Sequence, residues 1–302
     1  MTTGDRAAWN AFWAYAGART GAGCLPSGSP ALERAQRASW ESFAPRIGGN
    51  GRVLDIATGD GRVMAWLLAC RRDLAPTGID FAEKLPPPPS GASVRCGISM
   101  EDLPFPAGTF DAVVSQFGFE YGDIPGTAAE IARVLAPGGI VGLMTHRGDS
   151  VILMHNRARR DAISWAIERE DLPGIAKRSL ALRSAGIAAL PPAISTAPAR
   201  GQAMFGANSA AWEIAEAIRR TLELGRNDMT GRVAASIDTI AVMAKGEMGR
   251  IAALERACAA ASNEDALVSA LGAAGLEQIE MTPVREAAGA RPFADFRLIR
   301  SK

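Results

Sequence analysis

Cysteine and histidine are scarce in this chain of 302 residues. The four cysteines stand singly, without CxxC spacing, at Cys24, Cys70, Cys96 and Cys258. Only two histidines are present, His146 and His155, and neither belongs to a group of Cys, His and carboxylate residues with metal-ligand spacing. These absences exclude a disulfide framework and argue against a structural or catalytic metal. We therefore expect a reducing, cytoplasmic location and no metal.

The sequence also lacks an excess of charge of one sign and long apolar runs. Lys and Arg total 33 against 32 Asp and Glu, so a broad basic field for nucleic acid is missing and nucleic acid is not an expected partner. No apolar run reaches the ~20 residues that span a bilayer. The beginning MTTGDRAAWN has no basic segment followed by an apolar core, which again favours the cytoplasm. With 48% hydrophobic residues, the chain can form one large domain or two.

Residues 52–64, RVLDIATGDGRVM, have the pattern of a buried strand, a small-residue turn and the start of a helix. The apolar letters of VLDI suit a strand covered on both faces. Gly59 and Gly61 allow the backbone of the turn to approach a ligand closely. Asp55 lies at the end of the strand, beneath the turn. This is the carboxyl edge of a parallel sheet, where ligands usually bind.

Met64 stands where a nicotinamide-type fingerprint has its third glycine, which argues against a dinucleotide. The spacing that fits instead is Asp55, Ala57, Gly59 and Gly61, which resembles the first motif of the class I S-adenosylmethionine-dependent methyltransferases. The family more often has glycine than alanine at position 57. The later run EIARVLAPGGIVGL resembles the corresponding stretch of small-molecule methyltransferases, including those that methylate ubiquinone and menaquinone precursors. The matching stretches cover roughly residues 50 to 146.

The resemblance implies an α/β fold with a Rossmann-like seven-stranded sheet and helices on both faces. The expected divisions are N-terminal helices that form a possible lid (1–50), a cofactor-binding core (51–146), a helical insertion between strands five and six (147–262), and a last helix with strands six and seven (263–302). The insertion is expected to serve as a substrate cap or as the interface of a possible homodimer.

Local patterns place several elements within these divisions. Helical patterns fall at about 151–170, 174–187, 208–225, 230–245 and 247–261. A helix over 127–135 is expected to lead into strand five at 140–144. The four prolines of LPPPPSG exclude a helix between the second and third strands.

Aromatic residues are concentrated near the beginning of the chain. Trp9, Phe12 and Trp13 recur at helical spacing, and Tyr15 follows them. Two interpretations are open. The helix packs on the flank of the sheet, or it closes over the cofactor as a lid.

The resemblance also implies the residues that bind S-adenosylmethionine. Asp80 ends the second strand about 25 residues after Asp55, where a carboxylate accepts hydrogen bonds from both ribose hydroxyls. Phe81 is expected against the adenine face or in the core. Further contacts are assigned to Ser99, at the position where the family commonly has aspartate, to Met100 and to Gln116 at the end of strand four.

Methyl transfer needs a base mainly when the acceptor is a weakly acidic hydroxyl. The candidates are His146 and His155, with Glu120 and Tyr121 as alternatives. The sequence thus predicts methyl transfer to a small, partly apolar acceptor, with oxygen favoured over carbon or nitrogen. Two other functions stay open: a non-catalytic module that binds a cofactor or partner, and a peptide or protein carboxylate methyltransferase.

Overall fold

A computed structural model describes residues 9, 10, 12, 13, 30–183 and 189–302. Tyr15, Cys24 and the end of the helix predicted over 174–187 lie outside these residues. The described chain forms two compact units, one of residues up to 154 together with 253–302, and one of residues 155–252.

Seven strands form one sheet in the first unit. They are β1 (Arg52–Ile56), β2 (Ala75–Asp80), β3 (Ser93–Cys96), β4 (Phe110–Gln116), β5 (Leu135–His146), β6 (Leu276–Val284) and β7 (Ala294–Ser301). Their order is β3-β2-β1-β4-β5-β7-β6. β7 runs antiparallel to both β5 and β6, and the other neighbours are parallel. The predicted seven-stranded α/β sheet is therefore confirmed.

Ten α-helices are described. They are α1 (Pro30–Phe43), α2 (Arg62–Cys70), α3 (Ile124–Val134), α4 (Val151–Ser164), α5 (Leu172–Arg183), α6 (Pro192–Ser195), α7 (Ala197–Phe205), α8 (Ala210–Leu224), α9 (Thr230–Ser262) and α10 (Glu264–Ala273). Residues 84–89, within the proline-rich connection, have no regular structure, as the four prolines predict.

Alternate residues of the central strands pack on opposite faces of the sheet, because successive side chains of a strand point to opposite sides. Val53 of β1 belongs to a buried cluster with Trp40 of α1 and Leu67 of α2. The next residue, Leu54, belongs to a second cluster with Ile131 of α3 and with residues of α10. Helices thus cover both faces, which explains the uninterrupted apolar run in β1.

The second unit is helical and has its own buried core. Small and branched residues predominate, among them Ile163, Leu172, Ile218 and Ile237. The prediction of a break near residue 246 is wrong, since α9 is one continuous helix. Gly246 lies inside it, and a single helical glycine costs only about 1 kcal/mol, which neighbouring packing can offset.

The connection between α3 and β5 differs from the predicted helix over 127–135 and strand over 140–144. α3 begins at Ile124, where the Asp123 side chain accepts a hydrogen bond from the backbone N–H of Gly126. β5 then starts directly at Leu135, five residues earlier than the predicted start at 140, and pairs with Phe110 of β4. Between this pair and the next, β4 advances from residue 110 to 112 while β5 advances from 135 to 140. The Ala-Pro-Gly-Gly segment of β5 therefore bulges out of the strand pairing.

Candidate active site

A cavity that opens to solvent, with about 1060 Å³ of empty space including its open mouth, lies at the carboxyl ends of β1, β2, β4 and β5. Nine of the thirteen residues assigned from the sequence line it: Asp55, Ala57, Gly59, Asp80, Phe81, Met100, Gln116, Tyr121 and His146. Four do not: Gly61, Ser99, Glu120 and His155. Because β1 and β4 are neighbours in the sheet, their turns meet at this edge, which is where an open parallel sheet binds ligands.

The turn after β1 is held in a left-handed backbone conformation. Ala57 has a φ of 56°, Gly59 of 56° and Gly61 of 72°. The backbone N–H of Thr58 donates to the carbonyl of Ile79 in β2, at 2.9 Å. Gly61 contributes to the turn from outside the cavity, since a Cβ there would lie 2.8 Å from Pro89 of the proline-rich connection.

The turn after β4 packs directly on the turn after β1. A Cβ placed on Gly118 would overlap the Cβ of Ala57 and lie 2.9 Å from the Ser115 hydroxyl. That hydroxyl bridges the two strands, because it donates to the Ile56 carbonyl at 2.9 Å and accepts from the Phe119 backbone N–H at 3.1 Å. The backbones of the turns after β1 and β4 must therefore approach each other closely at this wall of the cavity.

Asp80 is 9% exposed and its carboxylate accepts two backbone hydrogen bonds. Oδ2 accepts from Gly59 at 3.0 Å, and Oδ1 accepts from Ala82 at 2.9 Å. Burial raises the pKa of this carboxyl, although the hydrogen bonds from Ala82 and Gly59 oppose the rise. The side chain therefore links the end of β2 to the turn after β1, and its assignment to the ribose stays a prediction.

Asp55 is 1% exposed and lies beneath the turn. Its Oδ2 accepts a hydrogen bond of 2.6 Å from the Thr58 hydroxyl. Burial raises the pKa of Asp55 to about 7; the Thr58 hydrogen bond lowers it, and the charges of Asp80 and Asp60 raise it further. Near neutral pH this carboxyl is thus poised between its neutral and charged forms, and a cation in the cavity would favour the charged form.

The loop after β3 faces the cavity with Met100, as predicted, but with Ile98 in place of Ser99. Ile98 and Met100 line the cavity. The Ser99 side chain instead donates its hydroxyl hydrogen to the carboxylate of Glu101. Glu101 also accepts the backbone N–H of Asp123 at 3.0 Å, so the loop is fixed to the start of α3. Ser99 does not bring its hydroxyl into the cavity.

Gln116 ends β4 and belongs to a buried amide chain. Its Oε1 accepts from the Trp40 indole N–H at 2.7 Å, and its Nε2 donates to Gln36 at 3.1 Å. Both partners lie on α1 and are 0% exposed. Since α1 fixes the Gln116 amide in one orientation, the polar group at this point of the cavity wall is pre-organised.

His146, the last residue of β5, is 2% exposed but lines the cavity. The Phe117 ring stacks on the imidazole with centroids 4.2 Å apart and planes 10° apart. The Tyr121 hydroxyl lies 3.4 Å from Nε2. Burial lowers the pKa of His146 to about 3, so the imidazole is neutral at physiological pH.

The remaining two candidates for a base are placed differently. Glu120 is 2% exposed, lies behind the cavity wall and accepts the backbone N–H of His146 at 2.7 Å. Burial raises the pKa of Glu120 to about 7. His155 is an exposed residue of α4 and is not among the residues that line the cavity.

Aromatic residues near the beginning of the chain also line the cavity. They are Trp9, Phe12 and Trp13. A Cβ on Gly59 would lie 2.7 Å from the Trp13 ring, and the Trp9 ring contacts Tyr121 with centroids 5.8 Å apart. The Asn10 side chain accepts the backbone N–H of Glu83 at 2.9 Å. These aromatic residues therefore lie at the cavity, and closure of their helix as a lid stays a prediction. The helical spacing indicates one shared face but not the surface that this face contacts.

Several lining residues were not assigned individually from the sequence. Thr58, Asp60 and Gly118 lie within the two turns, and Arg62 and Val63 begin α2. Arg62 pairs with Asp60 at 2.5 Å. The motif spacing located these turns, and only the backbone geometry selects which of their side chains face inward.

Among the described ranges, no group of three or more His, Cys, Asp or Glu residues could hold a metal ion. None of the helices described above is both long and apolar enough to cross a membrane.

Residues 54–143 match the model of a family described as "Methyltransferase domain". The demethylmenaquinone methyltransferase of Thermus thermophilus is 38% identical over 101 residues, which cover 29% of this chain and 44% of that protein. The ubiquinone/menaquinone biosynthesis C-methyltransferase UbiE of Geotalea daltonii is 38% identical over 118 residues, which cover 34% and 50%. The chain thus spans half or less of the length of these curated relatives.

Among solved structures, the putative methyltransferase in complex with the Haloferax volcanii Trm112 methyltransferase activator is similar with a TM-score of 0.36 and 22% identity. The alignment covers 48% of this chain and 60% of that chain.

Proposed function

We propose that residues 54–143, which match the methyltransferase-domain model, form a class I, S-adenosylmethionine-dependent methyltransferase domain, and that the whole chain transfers a methyl group to a small, partly apolar acceptor. The observation that carries the proposal is the single cavity described above. It joins the turn after β1, the carboxylates of Asp55 and Asp80, and the imidazole of His146. A cofactor-binding turn and a candidate base therefore face the same space.

The residues present fit the cofactor of this family. Two buried carboxyls, at Asp55 and Asp80, face a space that is otherwise lined mostly by apolar groups. A cationic ligand carrying vicinal hydroxyls would satisfy both, because it supplies positive charge and hydrogen-bond donors. When bound, S-adenosylmethionine supplies an electrophilic methyl group on a sulfonium.

We assign the roles by position along the wall. Asp80 would accept from the ribose hydroxyls, and Asp55 would balance the positive charge of the amino-acid part. Phe81, Ile98 and Met100 would contact the adenine. Ser99 receives no role here, because its hydroxyl is bonded to Glu101.

The acceptor side is inferred from the aromatic lining. Trp9, Phe12, Phe117 and Tyr121 all line the cavity and suit a partly apolar molecule. They also exclude water, which keeps the transfer directed to the acceptor. His146, with Nε2 beside the Tyr121 hydroxyl at the wall, would take the proton of the acceptor.

We favour an acceptor oxygen over carbon or nitrogen, although the UbiE relative is named as a C-methyltransferase. A hydroxyl keeps its proton at neutral pH and therefore gains most from a base at the wall. A peptide or protein carboxylate would need no such base, because it is already charged.

The first test is titration calorimetry of the purified protein with S-adenosylhomocysteine, with a nicotinamide dinucleotide as the control ligand. We expect micromolar binding of the first and none of the second. The second test offers the protein methyl-tritiated cofactor together with a metabolite extract. Label in a small molecule supports the proposal, label only in polypeptide supports a protein acceptor, and binding without transfer supports a non-catalytic module.

A further inference from the structure

Within the described part of the chain, four buried side-chain N and O atoms have no hydrogen-bond partner, and two of them lie on residues that are hydrogen-bonded to each other beside the cavity. These two are Oε2 of Glu120 and Nδ1 of His146. Both residues are 2% exposed. A buried polar atom without a partner is costly, so two such atoms on adjoining residues need an explanation.

The two residues are already joined through the backbone. Oε1 of Glu120 accepts the backbone N–H of His146 at 2.7 Å. The backbone nitrogen and Nδ1 of one histidine are separated by only a few covalent bonds. Since Oε1 is held at the backbone nitrogen, a small rotation of the Glu120 carboxylate would bring its other oxygen, Oε2, towards Nδ1 of the same histidine. One hydrogen between Nδ1 and Oε2 would satisfy both atoms.

The imidazole is fixed on its other sides. The Phe117 ring covers one face at 4.2 Å between centroids, and the Tyr121 hydroxyl lies 3.4 Å from Nε2. His146 and Tyr121 line the cavity, whereas Glu120 does not. Nε2 is thus the nitrogen on the cavity side, and Nδ1 is the nitrogen on the carboxylate side.

We propose that Glu120 is a positioning residue that holds the proton of His146 on Nδ1, so that Nε2 is unprotonated and can act as the base at the cavity wall. The proposal rests on the proposed methyl transfer. There, a lone pair of the acceptor oxygen forms the bond to the methyl carbon, and the pair of the broken carbon–sulfur bond remains on sulfur. The acceptor proton moves to Nε2, and the ionised Glu120 stabilises the imidazolium that results.

The titratable and charged groups around this pair include Arg297 and Asp295 of β7, Tyr121 and Arg147. Burial is the largest effect on Glu120 and raises its pKa to about 7, while the hydrogen bond from the His146 backbone and the charge of Arg297 of β7 lower the pKa. Tyr121 faces Nε2. Arg147, next along the chain, is paired with Asp295 of β7 at 2.8 Å. Glu120 is thus largely ionised above pH 7, and the low pKa of His146 keeps the ring neutral, so its nitrogens report the tautomer.

The test uses the small number of histidines. When the His155→Gln variant is labelled with ¹⁵N-histidine, its only histidine ring signals are those of His146. At pH 8 we expect a protonated Nδ1 and an unprotonated Nε2. In Glu120→Gln, the amide oxygen must accept the backbone N–H, so the amide NH₂ faces Nδ1 as a donor. The tautomer is therefore expected to invert, with the proton on Nε2.

Either of two results overturns the proposal: a wild-type proton on Nε2 at pH 8, or the same tautomer in Glu120→Gln as in the wild type. The measurement with Glu120 present does not depend on whether the Glu120→Gln variant folds. In the wild type, acidification through pH 7 is expected to invert the tautomer as well, because protonated Glu120 becomes a donor to Nδ1.

Failure of the proposed function is recognised separately. The tautomer is read without acceptor or turnover, whereas binding of S-adenosylhomocysteine reports the cofactor site. Equal affinity of wild type and Glu120→Gln is expected, because Glu120 lies outside the cavity. If the tautomer inverts in Glu120→Gln but the wild type methylates no acceptor, the positioning role of Glu120 is supported and the proposed methyl transfer is not.

Discussion

Both oxygens of Asp80 accept backbone N–H groups, from Gly59 and Ala82, so this residue supports the cofactor turn as well as facing the cavity. Replacement by alanine would therefore disturb the turn and the ligand contact together. Asparagine retains the shape and one acceptor oxygen but turns its NH₂ towards one of these two N–H groups, so Asp80→Asn disturbs the turn less than alanine does and is the better test of ligand binding.

We expect Asp80→Asn to weaken S-adenosylhomocysteine binding by roughly 1.5 to 3 kcal/mol, the usual value of hydrogen bonds to a charged group. Titration calorimetry measures the change, and Asp102→Asn at an exposed position is the matched control with unchanged affinity expected. Unchanged affinity in Asp80→Asn with an intact fold would remove Asp80 from the proposed site.

At the scale of elements, the turn after β1 contains a non-glycine residue in the left-handed region, Ala57 with a φ of 56°. That conformation costs a side chain about 1 to 2 kcal/mol, while glycine loses about 0.5 to 1 kcal/mol through its freer unfolded chain. Ala57→Gly should therefore raise the free energy of unfolding by about 0.5 to 1 kcal/mol.

Urea denaturation measures this change. Ala65→Gly in the middle of α2 is the control, because there alanine has ordinary helical angles and glycine should destabilise by about 1 kcal/mol. Loss of stability in both variants would contradict the assigned strain at position 57.

The last helix is tied to the sheet by Arg297, whose side chain is 1% exposed. It donates to Thr145 of β5 at 3.2 Å, to Gln278 of β6 at 2.8 Å and to Glu264 of α10 at 2.8 Å. Four elements therefore meet at one guanidinium.

Glu264→Gln should lower the free energy of unfolding by about 1 to 3 kcal/mol, because it removes the charged partner of a buried guanidinium. The value is reduced from that of a fully buried pair, since the Glu264 side chain is 43% exposed. Glu277→Gln removes the exposed partner of Arg300 and should change stability by less than about 0.5 kcal/mol in the same denaturation experiment. Equal effects of the two substitutions would count against the special position of Arg297.

Some of these elements could be predicted and others could not. The turn after β1 was identified because its small residues follow a buried strand at a recognisable spacing. The directions of Ser99 and Glu120 depend on loop backbone angles, which the spacing does not specify. The break predicted within α9 failed because packing outweighed the preference of Gly246, and no local pattern reports packing between distant segments.

At the scale of the whole molecule, pH changes the free energy of unfolding through buried carboxyls. The folded pKa of Asp55 is about 7 against an ordinary value of 3.8, so the folded state binds a proton more strongly than the unfolded state. Its contribution to stability is complete below about pH 4 and is lost as the pH rises to about 7. His146, whose folded pKa is lowered, contributes in the opposite direction between about pH 3 and pH 6.5.

Comparison of the wild type with Asp55→Asn isolates the carboxyl, because His146 is common to both. The variant should become progressively more stable than the wild type from pH 4 to pH 7, with an upper limit of roughly 4 kcal/mol for a shift of about three pKa units. Urea denaturation across this range measures the difference. A constant difference between the two proteins would show that Asp55 does not titrate in this window.

Ligand binding should lower the pKa of Asp55, which burial raises. A cationic ligand near Asp55 favours the carboxylate, so binding of S-adenosylhomocysteine at pH 6 is expected to release protons. Calorimetry in buffers with different ionisation enthalpies detects the release, and Asp55→Asn should abolish most of it. Proton uptake on binding would contradict the placement of the ligand's ammonium group.

The contact between Gly118 and Ala57 has a consequence for how the sequence can vary. The two positions together have room for a single methyl group, which here belongs to residue 57. A methyl group at 118 would overlap the methyl group of residue 57 and does not fit while that group is present. Relatives with the same wall should therefore have a residue larger than glycine at 118 only where position 57 is glycine, and the two turns are constrained to change as a pair.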